Sequence, residues 1–131
     1  MPAQAPTSLS ILIPVYDEEP TIYELLRRVA DAEVDLELEV LVVDDGSSDG
    51  TAAEVERFQA DNPDLHLVFE RHMENRGKGA AVRTALGLAT KDLVLIQDGD
   101  LEYHPRDYPV LLEPLLDGRA DAVFGSRFLG G

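Results

Sequence analysis

The sequence contains no cysteine, which excludes disulfide staples and zinc-thiolate sites. Its histidines, His66, His72 and His104, are scattered without metal-ligand spacing. No apolar run approaches the roughly eighteen residues that span a bilayer. The opening MPAQAPTS lacks the charged and apolar regions of a signal peptide. A soluble, cytoplasmic chain is therefore expected. Basic residues are scarce: 11 against 26 acidic ones give a net charge of −15, and Lys78 and Lys91 are the only lysines. A field of that sign repels nucleic acid and anionic membrane surfaces, so no nucleic-acid partner is expected. It also repels phosphates, so a diphosphate site on this chain would need a cation or local arginines. A lysine-poor acidic surface suits salty surroundings, where screening relieves self-repulsion.

What is present is a core. With 131 residues and 44% hydrophobic content, the chain reads as one ordered domain. Residues 9–14 (LSILIP), 38–43 (LEVLVV), 65–69, the apolar run from Leu93 that stops at Asp98, and 122–124 read as strands. Helices are expected after the first, second and third of these. In the first helix Ile22, Leu25, Leu26, Val29 and Ala30 share one face, and Thr21 and Glu24 have capping-box spacing. In the second, Ala52, Val55 and Phe58 face inward, and Thr51 and Glu54 repeat the capping-box spacing. The third is alanine-rich, roughly residues 80–89. Residues 105–116 look helical but carry Pro109 and Pro114, so a short or kinked helix is expected there. Apolar strands alternating with helices indicate an α/β fold, a mostly parallel sheet with helices on both faces. Such sheets bind ligands beyond the carboxyl ends of their strands.

The unusual residues stand at those ends. The fourth strand runs into Gln97, Asp98, Gly99 and Asp100. Residues two apart on an extended chain share a side, so both carboxylates can meet one divalent cation, Mg²⁺ or Mn²⁺, with phosphates completing its shell. Alone, Asp-Gly-Asp also fits an acidic turn. Asp44 and Asp45 end the second strand, where one could cap the next helix and one could accept hydrogen bonds from a base or ribose. Tyr16 and Glu18 follow the first strand, as packing and helix-start residues or as a stacking platform and a polar contact. Arg76 and Lys78 sit in RGKGAAV, which lacks both the dinucleotide fingerprint and the Walker A pattern. That loop reads as a helix entry or as a basic loop whose backbone N–H groups face phosphate. Arg127 follows the last strand with a fork of donors suited to phosphate.

In this order and spacing, PVYDEE, VVDDGSSDGT, NRGKGAAVRTAL, QDGDLEYHP and GSRFLGG resemble family 2 glycosyltransferases with the GT-A, Rossmann-like fold. The nearest branch looks like the polyprenyl-phosphate sugar transferases, typified by dolichyl-phosphate mannosyltransferase. The resemblance covers residues 9–131. It implies an inverting transfer of a sugar from a nucleotide-diphosphate donor, of GDP-mannose or UDP-glucose type, to a polyprenyl phosphate. By the same resemblance Pro14, Tyr16, Glu18, Val42, Asp44, Gln97, Asp98, Gly99 and Asp100 bind the nucleotide sugar. Asp98 and Asp100 match the DxD motif, with Glu102 a further metal position. Arg127 joins Asp98 and Asp100 as a catalytic residue at the phosphates of donor or acceptor. Gly99 departs from the pattern, many relatives having alanine, a change expected to leave metal binding intact.

Relatives continue beyond GSRFLGG, so residues 1–131 are expected to form a single nucleotide-sugar-binding GT-A domain without the acceptor-binding part. The full-length form is expected at the inner face of a membrane. A different class, a donor-binding module without turnover, is the alternative. A sugar-nucleotide pyrophosphorylase shares the broad architecture but usually places a basic glycine-rich loop where this chain has VYDEEP.

Overall fold

The computed structural model describes residues 7–32 and 34–99, with the backbone pairing of residues 123 and 124. Among the described residues the elements are, in chain order, β1 (Ser8–Val15), α1 (Ile22–Ala30), β2 (Glu37–Asp44), α2 (Thr51–Asp61), β3 (Leu67–Arg71), α3 (Lys78–Leu88), β4 (Leu93–Ile96) and β5 (Val123–Phe124). The strands form one sheet in the order β3-β2-β1-β4-β5, every neighbouring pair parallel. The α/β architecture expected from the pattern is present. The helix expected over 105–116 lies outside the described residues.

Period-two alternation sends each strand's side chains to two different cores. Leu9, Ile11, Ile13 and Val15 of β1, with Val40 and Val42 of β2, pack under α1 and α2. Leu12, Leu41 and Val43 face the other way and meet Ala81 and Ala85 of α3. Covering on both faces is why these strands read as continuous apolar runs. On α1, Ile22, Leu25, Leu26 and Val29 are buried, whereas Ala30, expected on the same face, is exposed at the helix's last position. The α1–α2 contact closes with Tyr23 edge-on to Phe58, ring centroids 5.3 Å apart, and Arg57 3.8 Å over the Tyr23 ring.

Two expectations give way to tertiary partners. Neither capping box forms: Thr21 and Gly50 stand at the N-caps of α1 and α2, and neither makes a side-chain cap bond. Thr51 instead accepts the Glu18 N–H at 2.9 Å, and its own N–H is bonded by Asp49 Oδ1 at 3.0 Å. Nor are the strands apolar throughout. Ser10 and Glu39 are buried on the α3 side of the sheet and joined at 2.6 Å. Glu39 also accepts from the Thr90 N–H and hydroxyl, fastening the α3–β4 connection to the sheet. Burial opposes its ionisation, but these bonds outweigh that and hold its carboxyl below the usual range.

Candidate functional site

Strand order reverses between β1 and β4. The chain leaves β1 toward β2 on one side and returns to β4 on the other, so the loops beyond the two strands part and leave a crevice. A cavity of about 290 Å³ opens there. Pro14, Tyr16 and Glu18 line it from the β1 end, Asp98 and Gly99 from the β4 end, and Gly77, Lys78 and Ala81 from the start of α3. Tyr16 is 47% exposed, a large aromatic left in solvent beside the opening. The first turn of α3, its N–H groups pointing out of the helix, adds a positive end to this wall.

The β1 and β2 loops are interlocked, which accounts for much of the composition of VYDEE and DDGSSDGT. Asp17 sits in the left-handed region at φ 51°. Its N–H bonds Ser47 Oγ and its carboxylate accepts the Ser48 N–H, both at 2.9 Å. Glu19 accepts the Gly50 N–H at 2.7 Å. Gly46, at φ +76°, lets the 74–75 backbone pass so close that a Cβ there would stand 2.5 Å from the Glu74 carbonyl carbon.

The two aspartates ending β2 are thereby separated in role. Asp45 lines the cavity, but both its oxygens are engaged: the Arg76 N–H reaches Oδ1 at 2.9 Å and the Gly77 N–H reaches Oδ2 at 2.8 Å. His72 Nδ1 stands 2.8 Å from Oδ1, and His72 Nε2 stands 2.8 Å from Thr84 Oγ1 on α3. A carboxylate only accepts, so Nδ1 carries the proton. Burial resists ionisation of Asp45, but the His72 bond and the two backbone donors prevail and hold its carboxyl below the usual range. Asp45 therefore latches the loop leading into α3 and does not cap α2. It also consumes the Arg76 and Gly77 N–H groups that the basic-loop reading had facing phosphate.

Asp44 is fully buried and outside the cavity lining. Its Oδ1 accepts the Ser47 N–H at 2.9 Å. Its Oδ2 makes no hydrogen bond, and Arg71 Nε forms an ion pair with it at 3.3 Å. Arg71 in turn borders a second hollow with Ser47, His72 and Met73. Val42, expected at the nucleotide, is buried in the core under α1 and α2 and is not among the cavity's lining residues. Gln97 is fully buried, and its side-chain amide donates to the Asp98 carbonyl at 3.3 Å.

Asp98 is the one DxD carboxylate among the described residues; Asp100, Glu102 and Arg127 lie outside them. Among the described residues no cluster of three His, Cys, Asp or Glu side chains could hold a metal. Asp98 nevertheless behaves as a cation ligand, because the Lys78 ammonium is bonded to its Oδ1. That donor chemistry fits a hard divalent ion. Gly99 is tightly placed: a Cβ would stand 2.8 Å from Val15 Cγ1 and 3.2 Å from Glu18 Cγ. An alanine at this position would thus not be a neutral exchange in this chain.

The family model for glycosyl transferase family 2 matches residues 10–131. The chain belongs to that family. An undecaprenyl-phosphate 4-deoxy-4-formamido-L-arabinose transferase from Sodalis glossinidius is 40% identical over 107 residues, 80% of this chain and 32% of that protein. A dolichol-phosphate mannosyltransferase from Pyrococcus furiosus is 31% identical over 123 residues, 94% of this chain and 34% of that one. Among solved structures, a mannosyltransferase from Pyrobaculum calidifontis in complex with GDP-Man and Mn²⁺ superposes with a TM-score of 0.71 at 37% identity, covering 79% of this chain and 32% of that chain. The fold is that of the GT-A glycosyltransferases. The chain spans between 23% and 50% of the length of the curated relatives it matches. No helix among the described residues is long and apolar enough to cross a membrane.

Proposed function

We propose that this family 2 chain is the donor-binding part of an inverting glycosyltransferase that uses a nucleotide-diphosphate sugar and a polyprenyl-phosphate acceptor. The observation that carries the reading is Asp98. Its carboxylate lines the switch-point cavity, draws a cation there, and shares the cavity with an exposed aromatic and the start of α3. The donor and acceptor classes are supported by the likeness to a GDP-mannose complex and to two polyprenyl-phosphate transferases.

In this reading Tyr16 stacks against the base. Asp44 reads it or the ribose through Oδ2, once Arg71 shifts aside. Asp98, with Asp100 and Glu102, would hold Mg²⁺ or Mn²⁺, and the bound ion would neutralise charge developing on the departing diphosphate. Lys78 would meet the phosphates, and the family resemblance assigns Arg127 the same part. A phosphate acceptor is already anionic and needs positioning by cations more than a general base.

Alanine at Asp98 should lower Mn²⁺-dependent affinity for GDP or UDP at least tenfold in calorimetric titration; unchanged affinity would refute the metal assignment. Donor binding without turnover is the alternative reading. Sugar transfer or donor hydrolysis by this chain would exclude that reading.

A further inference from the structure

Lys78 is one of two lysines in a chain of net charge −15, and it is placed with care. Its backbone opens α3 directly after Gly77, which adopts φ +98°. The two preceding N–H groups, of Arg76 and Gly77, are clamped by Asp45, which His72 braces against Thr84. The anchor is therefore rigid, while the four-carbon stem above it is flexible and its side chain 59% exposed. From that anchor the ammonium crosses the cavity to Asp98, whose side chain is only 17% exposed.

We propose that Lys78 is a built-in counterion that occupies Asp98 until a divalent ion and a nucleoside diphosphate arrive together. The inference rests on the donor-site reading above. A divalent ion binding alone must expel the ammonium and then share the cavity with it, two cations without an anion between them. When a diphosphate enters with the ion, the released ammonium gains phosphate oxygens as new partners. Lys78 thus penalises metal binding in the empty site and rewards it in the nucleotide-bound one. Metal and diphosphate must then favour each other's binding, and by the same factor.

The test measures Mn²⁺ affinity by the electron paramagnetic resonance signal of the free ion, with the chain alone and with saturating GDP or UDP. Lys78→Met keeps the stem and removes the charge. It should bind Mn²⁺ alone about three- to tenfold more tightly than the parent chain, the range expected for releasing a half-exposed ion pair and a neighbouring cation. Its affinity for the diphosphate in the presence of Mn²⁺ should fall by a similar factor. Arg83→Met removes the same charge from an exposed position on the same helix and should change Mn²⁺ affinity less than twofold. An unchanged or weaker affinity of Lys78→Met for Mn²⁺ alone would overturn the proposal while leaving the donor site standing. An equal gain in Arg83→Met would also overturn it, reducing the effect to bulk charge. If neither chain binds Mn²⁺ with either diphosphate, the donor-site reading falls and takes this one with it.

Discussion

At the scale of single residues, the site depends on two glycines for different reasons. Gly46 needs both its left-handed backbone and its bare Cα, because the 74–75 backbone lies against it. Gly46→Ala should cost about 2–4 kcal/mol, combining the left-handed penalty with forced displacement of main chain. Because the displaced segment leads into Lys78, diphosphate affinity should fall with stability. Urea unfolding checks the first and calorimetry the second; a wild-type midpoint would contradict the packing argument. Gly99 lacks the left-handed backbone of Gly46, but a Cβ there would meet the side chains of Val15 and Glu18 and, at 3.3 Å, the Pro14 carbonyl oxygen. Neither crowding was legible in the sequence, since each glycine meets residues distant along the chain. The same holds for His72. In sequence it is a lone histidine before a loop, and only the sheet brings it between Asp45 and Thr84.

At the scale of elements, the periodic signals were the reliable ones. Strands buried on both faces must be apolar, and helices on a sheet must show one apolar stripe, so β1, β2, α1 and α2 were legible. Local polar signals were less so. Thr21 and Thr51 have the spacing of capping residues, yet the hydroxyl of Thr51 is taken by Glu18 across the β1–β2 interlock, and that of Thr21 lies within 3.3 Å of the Gly99 carbonyl. A tertiary partner outcompetes the local one when it would otherwise be left unbonded. The alanines of α3 have a similar logic. Ala81 and Ala85 are fully buried against Leu12, Leu41 and Val43, so small side chains let the helix lie close to the sheet and set the height of Lys78 over the cavity. Ala85→Leu should overpack this layer, costing about 1–3 kcal/mol in urea unfolding. An unchanged midpoint would show that the layer has room to spare.

For the whole molecule, charge and topology set the terms on which a ligand can enter. An excess of fifteen negative charges destabilises the compact state by self-repulsion, and salt relieves it. Raising KCl from 0.1 M to 1 M shortens the screening length from about 10 Å to about 3 Å, so the thermal midpoint should rise. Screening also weakens exposed pairs such as Arg27–Glu24, but pairs of that kind are worth little. A midpoint that stays level or falls would sink the salt argument. The same excess makes a free diphosphate an unwelcome guest except beside a cation, and among the described residues lining the mouth between β1 and β4 that cation is Lys78. The ordered motifs that mark the family were legible because their residues gather at the strand ends. The division of labour between Asp44 and Asp45 was not, because adjacent aspartates look alike until the α3 loop is folded over one of them.

A metal-dependent nucleoside-diphosphate site is expected at that mouth. Isothermal titration of the chain with GDP and UDP, in Mn²⁺ and then in EDTA, tests it most directly. Binding of one of them in Mn²⁺, lost in EDTA, is the predicted result. Binding of neither, or binding that EDTA leaves unchanged, would contradict it.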